Sequence, residues 1–120
     1  MARILIAEDD PASLEFLKRA LHQDAHEITT VEEGGEALTR LTASPGAFDL
    51  LLADISMPGL DGISLVQRLG DAADSLKVLL VSGHTSELDR AKGLGGRIHT
   101  LAKPFTLDSI RAEVRRVLAG

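Results

Sequence analysis

The chain of 120 residues has the length of one domain, and its content of 44% hydrophobic and 26% charged residues is that of an ordinary globular protein. The absence of cysteine excludes disulfides, thiol catalysis and cysteine-bound zinc. The net charge of −5 and the aromatic share of 2% argue against direct nucleic-acid binding, and the N-terminal apolar run is too short for a signal peptide or membrane span. We therefore expect one cytoplasmic domain over residues 1–120, with no membrane partner.

Apolar segments typical of strands alternate along the chain with segments of helical periodicity. In chain order, the predicted strands lie at residues 3–7, 27–31, 48–53, 77–81 and 98–102. The predicted helices lie at 11–24, at 34–42, from Gly62 to Leu69, from a cap at Ser86 to the glycines at 93–96, and from Leu107 to Leu118. This alternation predicts βαβ units, and therefore a doubly wound α/β fold with a five-stranded parallel sheet and five helices.

Local signals indicate three further features of the first half of the chain. Asp10 followed by Pro11 is typical of a helix N-cap and a first helical residue. His22 and His26 fall at the end of the first helix, where we expect solvated surface side chains rather than a metal pair. The pair Gly34-Gly35 lacks the residues that follow in a phosphate-binding loop, so we interpret it as a turn before the second helix.

Polar side chains follow four of the predicted strands at their carboxyl ends. Glu8 and Asp9 follow the first strand, Asp54 the third, Ser82 the fourth and Lys103 the fifth. Because these ends lie at one edge of a parallel sheet, where such sheets bind ligands, we expect the side chains to converge. The carboxylates would repel one another unless a cation lay among them, and oxygen ligands favour Mg²⁺ or Mn²⁺.

This set of residues predicts phosphoryl chemistry. An aspartate at its centre, Asp54, can attack phosphorus and form an aspartyl phosphate. Lys103 would neutralise charge that develops on the phosphoryl oxygens, and Ser82 would donate a hydrogen bond to one of them.

Four motifs resemble those of the receiver domain of bacterial two-component response regulators, and the similarity covers essentially the whole chain. They are ILIAEDD at residues 4–10, DISMPGLDG at 54–62, VSG at 81–83 and KPF at 103–105. The resemblance implies the strand order 2-1-3-4-5. It also implies that Asp54 is the phosphoacceptor of a histidine kinase or a histidine phosphotransfer protein, and that Ser82 and Lys103 contact the phosphoryl group.

The same resemblance implies a metal site and a backbone feature. Glu8 and Asp9 match the acidic pair of the family, with Asp9 as a direct Mg²⁺ ligand beside Asp54 and the backbone carbonyl of Ser56. Pro104 matches the residue whose preceding peptide bond is commonly cis, and we expect a cis bond here.

The sequence departs from what the family often shows in two respects, at the switching position and at the positions that tune phosphate lifetime. Thr100 stands three residues before the lysine, where a Tyr or Phe often swings inward on activation. We therefore expect phosphorylation to be read through ordering of segment 83–97 rather than through a ring. Ser56 and His84 occupy positions that influence phosphate lifetime, and His84 either approaches the attacking water or faces solvent.

The expected function is a phosphorylation-controlled binding switch that catalyses only its own phosphorylation and dephosphorylation. Its unknown output partner would bind through helix 4, strand 5 and helix 5, as in a phosphorelay intermediate or a protease adaptor. The protein would be a monomer or a phosphorylation-dependent dimer. The sequence does not decide whether the chain is full length or trimmed from a longer regulator.

Two alternatives belong to other classes. One is a haloacid-dehalogenase-type phosphohydrolase, although such enzymes usually need a second Asp where Ser56 stands. The other is a receiver-like interaction module that works without phosphorylation.

Overall fold

A computed structural model describes residues 1–70 and 75–120 of the protein. Within these residues, five strands alternate with five helices, as the sequence predicts. The strands are β1 (Arg3–Ala7), β2 (Glu27–Val31), β3 (Leu50–Asp54), β4 (Lys77–Ser82) and β5 (Ile98–Ala102). The helices are α1 (Pro11–His22), α2 (Gly34–Ala43), α3 (Gly62–Leu69), α4 (Thr85–Lys92) and α5 (Leu107–Ala119).

The strands form one parallel sheet in the order β2-β1-β3-β4-β5, which confirms the order that the resemblance implies. The central strand β3 pairs with β1 through Ala7 and Ala53, and with β4 through Asp54 and Val81. These pairs align the carboxyl ends of the strands. The side chains that follow β1, β3, β4 and β5 are thereby brought to the same edge of the sheet.

The core is divided by the sheet into two layers, because successive residues of a strand point to opposite faces. From β3, Leu51 and Ala53 pack with buried residues of α2, α3 and α4. Leu50 and Leu52 pack on the other face with buried residues of α1 and α5. Every residue of β3 is buried, which explains the unbroken apolar run that a parallel strand covered on both faces requires.

Three boundaries differ from the sequence-based expectations by two residues. β3 begins at Leu50 rather than residue 48, since the Asp49 carboxylate accepts the Arg3 N–H at 2.8 Å and its guanidinium at 3.0 Å. α1 ends at His22, two residues early, because a turn follows in which Ala25 has a φ of 60°. The cap of α4 is His84, whose carbonyl accepts the N–H of the fourth residue of that helix, so the prediction of Ser86 was wrong.

The two histidines near the end of α1 differ in environment. His22 is exposed, as expected. His26 is half-buried, and its Nδ1 accepts the Ala2 N–H at 3.0 Å, so the expectation of a solvated side chain was wrong for it. Its Nε2 is buried and has no hydrogen-bond partner among the described residues.

None of the helices in the described ranges is long and apolar enough to cross a membrane. The cytoplasmic location stays a prediction.

Candidate functional site

Three of the predicted side chains meet at the carboxyl edge of the sheet. The Lys103 ammonium donates to Asp54 Oδ2 and, at 3.3 Å, to Glu8 Oε1. Glu8 is 1% exposed and Asp54 is 7% exposed, so one cation lies between two buried carboxylates. The structure thus brings together residues that lie far apart in the chain.

Backbone groups fix the two carboxylates. The Ser56 N–H donates to Asp54 Oδ1 at 2.9 Å, and the Asp10 N–H donates to Glu8 Oε2 at 3.1 Å. The loop after β3 folds back on Asp54, and a Cβ at Gly62 would lie only 2.9 Å from the Asp54 carbonyl oxygen. A glycine at the start of α3 therefore lets this helix begin directly beside the site.

The pKa values of Glu8 and Lys103 are both shifted from their ordinary values. Burial raises the pKa of Glu8 to about 7; the hydrogen bond from Asp10 opposes this shift, and the Asp54 charge adds to it. Burial alone would lower the pKa of Lys103, but its hydrogen bonds and charge contacts with Asp54 and Glu8 hold that pKa above the ordinary value. Lys103 therefore stays protonated, while burial makes ionisation of Glu8 costly even beside this ammonium.

The hydroxyl of Ser82 is fully buried and is oriented by α4. Ser82 Oγ accepts the His84 N–H at 2.9 Å and donates to Glu87 Oε1 at 2.5 Å. The Ser56 hydroxyl reaches the same carboxylate, at 2.9 and 2.8 Å from its two oxygens. Burial opposes ionisation of Glu87, but hydrogen bonds from Ser82 and Ser56 outweigh it and lower the pKa.

Sequence reasoning missed Glu87. Acidic residues are common in the first turn of a helix, where they interact favourably with the helix dipole. Glu87 lies in that turn of α4 and follows the pattern, so nothing in the sequence marks it as part of a site.

The remaining predicted site residues lie around this centre. Asp9 is exposed beside Glu8, and His84 is exposed at the cap of α4. Thr100 is half-buried in β5. The peptide bond between Lys103 and Pro104 is cis, as expected. The functional roles assigned to these residues stay predictions.

The donor chemistry at this edge fits a hard divalent cation. The side chains that converge offer oxygen ligands, and the carboxylates of Glu8 and Asp54 share one ammonium, that of Lys103. Among residues 1–70 and 75–120, no group of three His, Cys, Asp or Glu side chains stands close enough together to hold a metal. Any cation would thus need Asp9 to turn inward, or a backbone carbonyl and water to complete its shell.

Comparison with known proteins agrees with this geometry. A family model described as the response regulator receiver domain matches residues 4–115. The chain therefore belongs to the receiver-domain family of two-component signalling.

Individual relatives cover the chain to different extents. The response regulator receiver protein CpdR of Brucella abortus is 35% identical over 119 residues, which are 98% of this chain and 98% of that protein. The transcriptional regulatory protein TcrA of Mycobacterium tuberculosis is 35% identical over 94% of this chain but only 44% of its own length. The chain thus spans less than half of TcrA.

A solved structure of similar fold carries a ligand. The response regulator TrrA of Thermotoga maritima, in complex with Mg²⁺-BeF, superimposes with a TM-score of 0.85. It is 28% identical and covers 98% of this chain and 99% of its own.

Proposed function

We propose that this protein is a phosphorylation-controlled switch in which Asp54 accepts a phosphoryl group from a histidine kinase or a histidine phosphotransfer protein. The observation that carries the proposal is the buried Asp54 carboxylate, held by Lys103 at the carboxyl end of the central strand. An Asp54 oxygen attacks phosphorus, the bond from phosphorus to the donor imidazole nitrogen breaks, and that nitrogen keeps the electron pair and takes up a proton.

The chain's own side chains would then stabilise the product. Lys103 pairs with one phosphoryl oxygen, and the Ser82 hydroxyl donates a hydrogen bond to another. Burial of Asp54 limits access of water to the new acyl phosphate. The domain promotes only its own phosphorylation and dephosphorylation.

Glu8, Asp9, Asp54 and the Ser56 backbone carbonyl are the groups that would hold Mg²⁺ or Mn²⁺. When bound, the ion neutralises charge between the phosphoryl oxygens and the carboxylates. The support in this chain is the pair of buried carboxylates, Glu8 and Asp54, at the carboxyl edge of the sheet.

A phosphodonor can approach along an open groove of about 350 Å³ beside the site. The groove is lined by Phe16 of α1, by Pro104 and Phe105 after β5, and by Lys103 and Glu8 of the site. We propose that this mostly apolar groove receives the donor protein.

Output would use the face built from α4, β5 and α5. β5 lies at the edge of the sheet, so this face is accessible to a partner such as a phosphorelay protein or a protease substrate. We propose a single receiver domain over residues 1–120 that acts as a monomer or a phosphorylation-dependent dimer.

The hydrolase alternative is not favoured by the family match. The place of the second catalytic Asp is taken by Ser56, whose hydroxyl bonds Glu87 instead. Absence of phosphorylation at Asp54 would favour the other alternative, a receiver-like interaction module that works without phosphorylation.

The direct test is phosphorylation by a small donor, acetyl phosphate, with Mg²⁺ and with EDTA. The proposal predicts that the protein gains the mass of one phosphoryl group with Mg²⁺ but not with EDTA. Hydroxylamine should remove this added mass, and Asp54→Asn should not acquire it. Asp49→Asn, a matched change at the residue just before β3, should leave the gain intact. Equal labelling of Asp54→Asn would contradict the proposal.

A further inference from the structure

The Glu87 carboxylate joins three elements at the site. It accepts hydrogen bonds from the Ser82 hydroxyl at the end of β4 and from the Ser56 hydroxyl in the loop after β3. Glu87 itself belongs to the first turn of α4. α4 is otherwise weakly anchored, since Ala91 is its one fully buried residue. These hydrogen bonds therefore fix much of the position of its N-terminal end.

Ser82 cannot keep this bond and also bind a phosphoryl group. A hydroxyl has one proton to donate, and of the two acceptors near Ser82 Oγ the Glu87 carboxylate at 2.5 Å is much closer than the His84 carbonyl at 3.4 Å. The Ser82 oxygen also accepts a hydrogen bond from the His84 N–H. A phosphoryl oxygen on Asp54 must therefore compete with Glu87 for the same proton.

Charge acts in the same direction. A phosphoryl group adds between one and two negative charges and strong acceptor oxygens close to a carboxylate. Once Ser82 turns towards phosphorus, the Glu87 carboxylate loses a hydrogen bond and gains a repelling neighbour.

We propose that Glu87 is a positioning residue that holds Ser82 and the start of α4 in the unphosphorylated arrangement and is displaced when Asp54 is phosphorylated. The proposal rests on the function proposed above and adds its mechanical link. Release of Glu87 frees the N-terminal end of α4, which is opposite in sign to the ordering of segment 83–97 expected from the sequence. The chemical event at Asp54 thus reaches the output face without a switching aromatic ring.

The test compares the wild type with Glu87→Ala and with Asp89→Ala, which removes an exposed carboxylate from the same helix. Affinity for beryllofluoride, a phosphoryl mimic, is measured with Mg²⁺ by calorimetry, and amide exchange of residues 84–92 is measured by mass spectrometry. Because Glu87→Ala has no bond to break, it should bind the mimic at least about tenfold more tightly. Without ligand, its α4 should exchange as fast as in the wild type with beryllofluoride bound.

A double-mutant cycle of Glu87→Ala and Ser56→Ala tests the hydrogen bond between Ser56 and Glu87. Ser56→Ala alone should tighten binding by a smaller factor, and it should add nothing in the Glu87→Ala background. Glu87→Gln, which keeps an acceptor but no charge, should lie between Glu87→Ala and the wild type.

Unchanged or weaker beryllofluoride binding in Glu87→Ala would overturn this inference, as would unchanged exchange in α4 or an equal effect of Asp89→Ala. Failure of the wild type itself to bind beryllofluoride would instead refute the phosphoacceptor function, and this inference with it. Binding by the wild type with no effect of Glu87 would remove the inference alone.

Discussion

At the scale of single residues, Lys103 links the site's stability to its chemistry. Its ammonium contacts both Glu8 and Asp54, and only 28% of the side chain is exposed. A buried acid without a cation is costly, and burial raises the pKa of Glu8 to about 7 even with Lys103 present. The same residue that would bind a phosphoryl oxygen thus keeps the unphosphorylated site folded.

We predict that Lys103→Met lowers the free energy of unfolding in EDTA by about 1–3 kcal/mol, because two buried carboxylates lose their partner. Added Mg²⁺ should restore a larger share of stability in this variant than it adds to the wild type. Urea unfolding with and without Mg²⁺ measures both effects. Lys92→Met, at an exposed position of α4, is the control, and equal Mg²⁺ responses in all three proteins would refute the prediction.

His26 makes stability depend on pH at the opposite end of the sheet from the site. Burial is the main cause that lowers its pKa below 6.5; nearby Asp24 opposes this shift and the N-terminal ammonium adds to it. The folded state therefore favours the neutral ring. Its contribution to stability is complete above the unfolded pKa and is lost as pH falls through the lower folded pKa.

Urea unfolding at about pH 7.5 and about pH 5 should show that the wild type loses stability relative to His26→Asn, which keeps an acceptor for the Ala2 N–H. The raised pKa of Glu8 changes stability in the opposite direction, but it does so equally in both proteins. His22→Asn, an exposed histidine of the same region, should follow the wild type. If the free energy of unfolding of His26→Asn depends on pH as that of the wild type does, the group that titrates is not His26.

At the scale of elements, α2 depends on one close approach. A Cβ built on Gly34 would lie 2.0 Å from the backbone carbonyl oxygen of Leu60, so no side chain fits while α2 rests against the loop before α3. At Gly35 the nearest atom is the end of the Glu33 side chain, at 4.0 Å. The interpretation of this glycine pair as only a turn missed the contact, since the loop lies 26 positions further along the chain.

We predict that Gly34→Ala lowers the free energy of unfolding by about 2–3 kcal/mol, because backbone must move to admit the methyl group. Gly35→Ala should leave stability unchanged or raise it by less than about 1 kcal/mol, since alanine favours a helix. Thermal unfolding of the two variants gives the comparison, and similar losses in both would contradict the packing argument.

Element order and type could be predicted because hydrophobic periodicity and turn residues are local signals. The start of β3 could not, since the Asp49 pairing with Arg3 that precedes it joins distant residues. In the same way, Glu8, Asp54 and Lys103 could be predicted to converge because each follows an apolar strand. Glu87 could not, because its role depends on the path that α4 takes over Ser82.

At the scale of the whole molecule, the parallel sheet makes the site and also connects it to the surface. β3 is buried on both faces, so Asp54 lies on the most enclosed of the five strands in residues 1–70 and 75–120. Ser82 and Lys103 lead from there to α4 and β5 at one edge, where the Lys103 N–H donates to the Ser82 carbonyl at 2.8 Å. A change at Asp54 therefore has a short path to the proposed output face.

The central claim is that Asp54 accepts a phosphoryl group. The measurement that tests it most directly is a residue-by-residue amide NMR titration with beryllofluoride and Mg²⁺, with Asp54→Ala as control. We predict saturable shifts at Asp9, Asp54, Ser82 and Lys103 that extend through residues 83–102 and vanish in the control. A wild type that binds Mg²⁺ yet shows no response to beryllofluoride, or shifts that persist in Asp54→Ala, would contradict the account.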